Sequence, residues 1–441
     1  MAGTLTERAD TLSWGRYPRT RQATIRYHNR HATLPAIERS LLPYGNGRSY
    51  GDSCLNDGGA LLHTRELDRF IAFDPTTGML RCEAGVLLSE ILELIVPQGW
   101  FLPVTPGTRF VTVGGAIAND VHGKNHHRAG TFGAIVRGFE LLRPDGSRHR
   151  CSPTENPDWF AATVGGLGLT GLITWAEIQL RRIANPWIAS ETIRFGGLEE
   201  FFAVSAASDR DYEYTVAWLD CTSRGAALGR GLFMRGNHAP ALCAARPRSP
   251  VGRLTVPFTP PLSLVNHWSL KAFNTLYYHR QRAEITRSIT HYAPFFYPLD
   301  SVLAWNRIYG RRGFLQYQCA IPHAHGPAAI REMLEHITRS GMGSFLAVLK
   351  IFGEIPAVGQ LSFPRPGVTL ALDFPNQGTA TFKLLDTLDS IVAVAGGAVY
   401  PAKDARMSGI RFRAFFPNWQ RFNAYIDPRF SSSFWRRVMV E

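Results

Sequence analysis

The sequence predicts an α+β protein in which a glycine-rich first part is followed by an antiparallel sheet backed by helices. In residues 1–182, short apolar runs suited to strands alternate with short helical patterns, and glycines cluster in three places. In residues 183–397, long aromatic strands separate two helical stretches, as expected for a sheet covered by helices. The length of 441 residues and the hydrophobic content of 45% suffice for two or three domains with a large core.

The spacing of apolar residues predicts the individual elements. In the first part we expect strands at 60–62, 80–84 and 172–180, a helix at 88–96, and a hairpin that turns at Asp145-Gly146. In the second part we expect strands at 313–321 and 368–374 and helices at 328–340 and 379–395. Residues 244–282 combine proline, arginine and large apolar side chains without a clean period, which predicts a mobile surface loop or a membrane-facing one.

Composition limits the classes of function. The 48 Lys and Arg against 35 Asp and Glu give a net charge of +13, which favours an anionic partner such as a phosphorylated ligand or an anionic lipid. No secretory leader and no apolar stretch of transmembrane length is visible, so we expect a cytoplasmic protein, either free or peripheral to the inner membrane. The six cysteines lie far apart, which argues against disulfides. Nucleic acid is only a remote alternative, because the basic residues are dispersed and form no recognisable module.

Three glycine-rich segments carry the chemical signal. They read PYGNGRSYGD at 43–52, PGTRFVTVGGAIANDVHGKNHH at 106–127 and TVGGLGLTG at 163–171. Glycine permits positive φ and lets backbone approach a ligand, and consecutive N–H groups can cradle an anion. The spacing matches neither a Walker loop nor the dinucleotide fingerprint. Any one segment could be an ordinary tight turn, but three in one half of the chain indicate backbone wrapped around a cofactor.

Three histidines in the second segment raise the question of a metal site. His122 and His126 are four residues apart, a spacing that can place two ligands on one helix face. No Asp, Glu or His set at matching spacing appears elsewhere, so we expect no metal. A structural role explains His126 and His127 better than it explains His122.

The order of the three segments resembles the FAD domain of the vanillyl-alcohol-oxidase-type flavoproteins. Within that group it most resembles the decaprenylphosphoryl-β-D-ribose 2′-oxidases, the flavin half of the epimerase that makes the arabinose donor of mycobacterial walls. Later segments extend the resemblance over nearly the whole chain: AWLD, AWNRIYG, GFLQYQ, LKIFG, LSFPRPG, LDFP and YPAKDAR. One departure is Ala371, two residues before the aspartate of LDFP, where mycobacterial members have a cysteine.

The resemblance implies which residues hold FAD. The first segment should surround the pyrophosphate, the second should lie along the flavin, and the third should complete the adenine side. Many relatives tether FAD through a histidine in the first segment, but this chain has Arg48-Ser49-Tyr50 there, so non-covalent FAD is expected. The implied cofactor-binding residues are Tyr44, Gly45, Asn46, Gly47, Arg48, Ser49, Tyr50, Gly51, Pro106, Gly107, Thr108, Gly114, Gly115, Ala118, Asn119, His122, Gly123, Lys124, Gly168, Gly171, Tyr400 and Lys403.

The resemblance also implies the catalytic residues Lys403, His122 and Tyr50. Lys403 resembles the lysine that reaches flavin and substrate, where a cation would stabilise negative charge on reduced flavin. His122 could relay or polarise the proton of the reacting hydroxyl, and the sequence does not decide whether His122 or Lys403 is the base. The implied substrate-binding residues are Lys124, Trp218, Tyr309, Gln316, Gln318, Lys350, Thr369 and Lys403.

The implied function is FAD-dependent oxidation of the 2-hydroxyl of a polyprenylphosphoryl pentose, such as decaprenylphosphoryl-β-D-ribose, to the 2-keto sugar. An NAD(P)H-dependent short-chain ketoreductase would complete the epimerisation for arabinan synthesis in the cell wall, with peripheral membrane contact. The alternative is an FAD-dependent oxidase of a free sugar, an alditol or an aldonolactone. The implied division is an FAD-binding domain (1–182), a substrate-binding domain (183–397) and a C-terminal segment (398–441) that returns to the FAD domain.

Overall fold

The structure is a computed structural model that describes residues 6–8, 11–241 and 254–440. In the first part, the strands are β1 (Thr6–Arg8), β2 (Gln22–Arg26), β3 (Leu41–Tyr44), β4 (Ala60–His63), β5 (Phe70–Asp74), β6 (Met79–Glu83), β7 (Trp100–Phe101), β8 (Val136–Leu142), β9 (Arg148–Cys151), β10 (Leu172–Gln179) and β11 (Arg181–Arg182). The α-helices of this part are α1 (Leu88–Ile95), α2 (Val113–Ala118), α3 (His126–Ala129) and α4 (Pro157–Thr163). β2, β4 and β3 pair in parallel, whereas β5, β6, β10, β8 and β9 form a separate antiparallel sheet.

The second part is built on one large antiparallel sheet. Its strands and their short neighbours are β12 (Trp187–Phe195), β13 (Tyr214–Leu219), β14 (Gly231–His238), β15 (Leu254–Thr255), β16 (Ile285–His291), β17 (Val302–Leu303), β18 (Phe314–Ile321), β19 (Ala347–Phe352), β20 (Gly367–Pro375) and β21 (Ala398–Val399). The helices are α5 (Leu198–Asp209), α6 (His267–His279), α7 (Tyr292–Phe296), α8 (Gly326–Ser340), α9 (Thr379–Val394), α10 (Gly409–Phe415), α11 (Trp419–Asn423) and α12 (Ser433–Met439). The sheet order is β16-β12-β14-β13-β19-β20-β18-β21, while β15 and β17 pair separately.

The large sheet has two chemically different faces because successive side chains on a strand point to opposite sides. Along β18, Leu315 and Tyr317 are buried in the apolar core with residues of α5, α8 and α9. Gln316 and Gln318 of the same strand lie on the opposite face, where they line a cavity. Lys350 on β19 lies on this polar face as well. The helices therefore stabilise one face of the sheet, and the other face is left for polar chemistry.

The C-terminal segment joins the two parts. After α9, β21 pairs with β18, and the chain then returns to the loop that follows β3. The Tyr50 N–H donates to the Ala402 carbonyl at 2.9 Å, and the Leu41 N–H donates to the Arg429 carbonyl at 2.7 Å. These backbone bonds bring the end of the sheet against the first glycine-rich segment.

The structure confirms the predicted elements. The expected strands correspond to β4, β6, β10, β18 and β20, the helices to α1, α8 and α9, and the hairpin to β8 and β9, with Gly146 at a φ of 86°. Segment 244–282 differs from the sequence expectation. Its residues 244–253 lie outside the described residues, as does Cys243, but residues 254–282 contain β15 and α6 rather than an unstructured loop.

Helix α6 explains why the sequence showed no period there. The Asn266 side chain caps it by accepting the N–H groups of Trp268 and Ser269. Only Leu270, Asn274 and Tyr278 are buried along its 13 residues, and one of these is polar, so the apolar stripe is too weak to detect.

Among the described residues, no helix is both long and apolar enough to cross a membrane.

Candidate active site

A cavity of about 320 Å³ lies between the glycine-rich segments of the first part and the polar face of the large sheet. Most of the predicted site residues lie on its wall, although they come from distant parts of the chain. They are Gly45, Asn46, Gly47, Arg48, Ser49, Tyr50, Pro106, Gly107, Thr108, Gly114, Gly115, Ala118, Asn119, His122, Gly168, Gly171, Gln316, Gln318, Lys350, Tyr400 and Lys403. Folding therefore gathers the three glycine-rich segments and the polar sheet face around one space.

The first glycine-rich segment depends on close backbone packing. Gly47 has a φ of 57°, and a Cβ at this position would lie 2.1 Å from the Tyr44 hydroxyl oxygen, so no other residue fits without displacement. The Asn46 side-chain amide donates to the Phe110 carbonyl at 2.7 Å and ties this segment to the second. In the second segment, the Gly115 N–H donates to the Thr112 hydroxyl at the start of α2.

Within the described part of the chain, three buried polar atoms on the cavity wall have no hydrogen-bond partner: Arg48 Nε, Ser53 Oγ and His122 Nδ1. Buried polar groups are normally hydrogen-bonded, so these atoms point to a polar ligand in the cavity. The Arg48 guanidinium also lies 4.0 Å from the centroid of the Trp14 ring, which holds it against the first segment. These residues fit FAD, whose pyrophosphate needs N–H donors and a counter-charge and whose ring system needs close, small-residue backbone.

His122 is held as a neutral hydrogen-bond donor. Burial and the nearby charge of Lys350 lower its pKa well below the ordinary value. The Gln318 amide nitrogen lies 2.9 Å from His122 Nε2, so Nε2 accepts and the proton of the neutral ring is on Nδ1. Phe352 packs edge-on to the imidazole, with 4.8 Å between ring centroids. The free Nδ1–H is therefore available to a ligand.

Lys350 brings a desolvated cation to the polar face. Burial, together with the charges of Lys124 and Lys403, lowers its pKa to about 7. Its Nζ donates to the Gly123 carbonyl at 3.2 Å. Burial also lowers the pKa of Lys124 to about 8. Three lysines this close together favour an anionic ligand, which would relieve both the desolvation and the mutual repulsion.

Lys403 lies beside Tyr50, another of the predicted catalytic residues. Its Nζ is 3.8 Å from the centroid of the Tyr50 ring. Burial lowers the pKa of Lys403, and the negative charge of Asp373 opposes this shift. Burial raises the pKa of Asp373, whose Oδ1 accepts from the Gln316 amide at 2.7 Å. Burial also raises the pKa of Tyr50 well above its ordinary value, so this phenol stays protonated.

Asp373 was not predicted as a site residue. It belongs to a buried strand and is itself 1% exposed, so the sequence context indicates only a core position. An acidic residue inside an apolar strand was the available signal, because a buried carboxylate needs a charge or hydrogen-bond partner. Trp14 and Ser53 line the cavity as well, without a motif that could have identified them.

Seven predicted residues do not lie on the cavity wall: Tyr44, Gly51, Gly123, Lys124, Trp218, Tyr309 and Thr369. Trp218 donates its indole N–H to the Phe345 carbonyl at 2.9 Å and packs against Tyr277 of α6. Tyr309 stacks on Phe314 with 4.2 Å between centroids, behind the wall. These two rings form the packing beneath the site.

Thr369 and Lys124 support residues on the wall. The Thr369 hydroxyl accepts from the Gln318 amide at 3.2 Å, which orients Gln318 toward His122. Lys124 donates to the Phe296 carbonyl at 3.5 Å. Thr369 therefore acts on the cavity through Gln318, and Lys124 acts on it through its charge, which helps to lower the pKa of Lys350.

The remaining histidines of the second segment are engaged with backbone. His126 Nδ1 accepts from the Gly353 N–H at 3.2 Å, and His127 Nε2 lies 3.0 Å from the Tyr212 carbonyl oxygen. In the described ranges, no three His, Cys, Asp or Glu side chains are grouped so that they could hold a metal ion.

Comparison with known proteins gives a consistent picture. Residues 21–152 match the family model of the FAD binding domain. A decaprenylphosphoryl-beta-D-ribose oxidase of Mycolicibacterium smegmatis is 35% identical over 450 aligned positions, which cover 97% of each chain. The chain belongs to the decaprenylphosphoryl-β-D-ribose oxidase family. It is an FAD-dependent oxidoreductase, and the predicted resemblance, the α+β fold class and the cofactor are thereby confirmed.

Other relatives match more narrowly. An uncharacterized protein of Streptomyces coelicolor is 35% identical over 373 residues, which are 80% of this chain and all of that protein. A Delta(24)-sterol reductase of Homo sapiens is 36% identical over 107 residues, which are 24% of this chain and 21% of the reductase. The match to the decaprenylphosphoryl-β-D-ribose oxidase therefore spans both the region of the glycine-rich segments and the region of the large sheet.

We predict that FAD in this oxidase family member is released by acid denaturation. The first segment carries no histidine, and burial raises the pKa of the cavity-lining Cys54 thiol to about 12, so Cys54 is a poor nucleophile at neutral pH. The flavin absorbance should remain in the supernatant after acid precipitation, for the wild type and for Cys54→Ser alike. Flavin that precipitates with the wild type would contradict this prediction.

Proposed function

We propose that this enzyme oxidises the 2-hydroxyl of a polyprenylphosphoryl pentose, such as decaprenylphosphoryl-β-D-ribose, to the 2-keto sugar. The observation that carries the proposal is a cavity that combines an FAD-binding wall with a polar, lysine-bearing wall on β18 and β19. The full-length similarity to an oxidase of this substrate supports it. The keto sugar that this reaction forms then serves arabinan synthesis for the cell wall.

The side chains around the reacting hydroxyl have two roles, since one accepts its proton and the others donate hydrogen bonds to the sugar. When bound, FAD supplies the hydride acceptor. Lys403, whose pKa is lowered by burial, can be neutral near pH 7 and take the hydroxyl proton, and the carboxylate of Asp373 then stabilises the resulting ammonium. His122 donates from Nδ1 and Tyr50 stays protonated, so both serve as hydrogen-bond donors that orient the sugar. In this proposal Lys403, rather than His122, is the base.

Lys350, the second lysine on the cavity wall, is the proposed ligand of the substrate phosphate. Lys350 has an ammonium that is partly desolvated and a polar neighbour set made of carbonyls and other lysines. A phosphodiester would supply the missing negative charge. Gln316 and Gln318, on β18, line the same cavity, and their amide oxygens can accept hydrogen bonds from the pentose hydroxyls.

A partner reductase follows from the chemistry of the product. Oxidation removes a hydride from C2, and inversion at this carbon requires a hydride to return to the other face. We infer a separate NAD(P)H-dependent short-chain ketoreductase for this second half-reaction. It completes the epimerisation that the oxidase begins.

Membrane contact is proposed for an apolar rim beside the cavity. The rim consists of large side chains that are 57–79% exposed: Leu254, Leu262, Leu264, Trp268, Leu276 and Phe258. It is continuous with the site because β15 pairs with β17, whose residues Val302 and Leu303 line the cavity. Lys271 lies on the same helix as Trp268, and Arg280 follows the last residue of that helix. Exposed apolar groups beside cations suit the surface of an anionic bilayer, where a polyprenyl tail resides.

We predict that a short lipid-linked ribose reduces the enzyme. Under anaerobic conditions, farnesylphosphoryl-β-D-ribose should bleach the flavin absorbance, whereas its 2-deoxy analogue should not, because it lacks the reacting hydroxyl. Lys403→Met should slow bleaching about 100-fold or more. Bleaching by free ribose, an alditol or an aldonolactone but not by the lipid-linked sugar would favour the alternative oxidase.

The pKa of Lys350 predicts a pH dependence of substrate binding. Because its pKa is lowered to about 7, the ammonium is charged below this pH and neutral above it. The affinity for an unreactive 2-fluoro analogue of the lipid-linked ribose should fall roughly tenfold between pH 6 and pH 8. Lys350→Gln should bind more weakly at pH 6 and depend less on pH in titration calorimetry. An identical pH profile in the variant would exclude Lys350 as the phosphate ligand.

Changing the rim should weaken membrane binding without affecting FAD. Phe258→Ser/Leu262→Ser/Trp268→Ser removes three exposed apolar side chains and should lower co-sedimentation with phosphatidylglycerol vesicles at least tenfold. The control Val394→Ser changes a residue that is 90% exposed on α9, on the side of the sheet away from the cavity, and should have no effect. Unchanged co-sedimentation of the triple variant would contradict the rim as the contact.

A further inference from the structure

Helix α12 contacts the base of the site with the side chain of Arg437. Its Nε and Nη2 donate to the two carboxylate oxygens of Asp52 at 2.9 and 2.7 Å, and Nη2 also donates to Asp404 at 2.9 Å. Nη1 donates to the Met407 carbonyl. Asp52 and Asp404 are only 3% and 4% exposed. One guanidinium therefore neutralises two buried carboxylates that would otherwise repel each other.

The two carboxylates belong to the two segments that carry Tyr50 and Lys403. Asp52 lies two residues after Tyr50, and Asp404 follows Lys403 directly. The two segments are in backbone contact, since a Cβ on Gly51 would lie 1.6 Å from the Asp404 carbonyl oxygen. The contact between the Lys403 ammonium and the Tyr50 ring lies at the end of this seam. The position of the ammonium thus depends on how closely the two segments are held.

We propose that Arg437 is a positioning residue for Lys403: by bridging Asp52 and Asp404, it holds the Lys403 ammonium against Tyr50 and in the cavity. Arg437 does not itself line the cavity. The inference rests on the role of Lys403 in the proposed function. It assigns a catalytic purpose to the last helix of the chain.

The docking of α12 does not depend on Arg437 alone. Phe434 and Trp435 pack against Phe412 of α10, with centroids 5.5 and 5.8 Å apart, and are buried in the same core as Val438. Removing the guanidinium should therefore leave the helix in place. A loss of stability and a loss of positioning can then be separated.

The adjacent Arg436 offers a matched control. It is on the same helix and donates to the Asn56 side chain and the Asp57 carbonyl, both at 2.8 Å. Its hydrogen bonds go to the loop before β4 and to Ser431 rather than to the Lys403 segment. Arg436→Met therefore removes an anchor of α12 and a nearby positive charge without removing a hydrogen bond to Asp52 or Asp404.

A double-mutant cycle tests the proposal on the FAD-loaded enzyme. The midpoint potential of bound flavin, measured at pH 6 without substrate, should fall in Lys403→Met and in Arg437→Met, because both remove or displace the same cation. In the Lys403→Met background, Arg437→Met should cause no further change. Arg437→Met should also lower kcat between 10-fold and 100-fold with KM changed less than about threefold, and Arg437→Lys should restore part of the loss. Arg436→Met should match the wild type within about twofold.

Several outcomes would overturn the proposal. One is a potential in Arg437→Met equal to that of the wild type, and another is an equal shift in the presence and absence of Lys403. If Arg437→Met does not fold, Asp52→Asn/Arg437→Gln removes one buried anion together with the cation and is subject to the same expectations. Because the potential is measured without substrate, the cycle decides the role of Arg437 even if polyprenylphosphoryl ribose fails to reduce the enzyme, which would refute only the proposed function.

Discussion

The cavity depends on one backbone seam, where the first glycine-rich segment meets the segment after β21. The Tyr50 N–H bonds to the Ala402 carbonyl, and Gly51 lies so close to Asp404 that any side chain would collide with backbone. This contact places the FAD-binding wall opposite the polar face of the large sheet. Because the two walls come from different parts of the chain, neither forms a site alone. The glycine at the seam is required for proximity rather than for flexibility.

Electrostatics explain why such a site favours anionic ligands. Lys124, Lys350 and Lys403 are desolvated near one another, and this lowers the pKa of each. A group that binds as an anion stabilises their charged forms and is itself stabilised in return. Ligand binding and the stability of the fold are therefore linked. The buried lysine charges that disfavour folding are the same charges that attract an anionic cofactor or substrate. Asp373 completes this network through its hydrogen bond with Gln316 on the cavity wall.

The polar cavity lies beside the apolar rim. The strand β17 lines the cavity on one side and pairs with β15 of the apolar rim on the other. In the proposed function, the polyprenyl chain remains in the bilayer while the pentose occupies the polar wall, which avoids exposing the tail to water. The helix α6, with its weakly apolar buried face, holds this rim in place over Trp218.

The sequence by itself determined the features that local chemistry dictates. Glycine clustering predicted backbone wrapped around a cofactor, and apolar periodicity identified β18, β20, α8 and α9. The family resemblance predicted FAD, and the absence of a histidine beside Arg48 predicted that it is bound non-covalently. Only the tertiary structure decided which polar residues meet. The family resemblance implies that Trp218 and Tyr309 line the pocket. In the structure, α6 and the packing around Phe314 place them behind the wall. Asp373 and Arg437 were not predicted from the sequence, because their hydrogen-bond partners lie 30 or more residues away. Such long-range contacts leave no local period in a sequence.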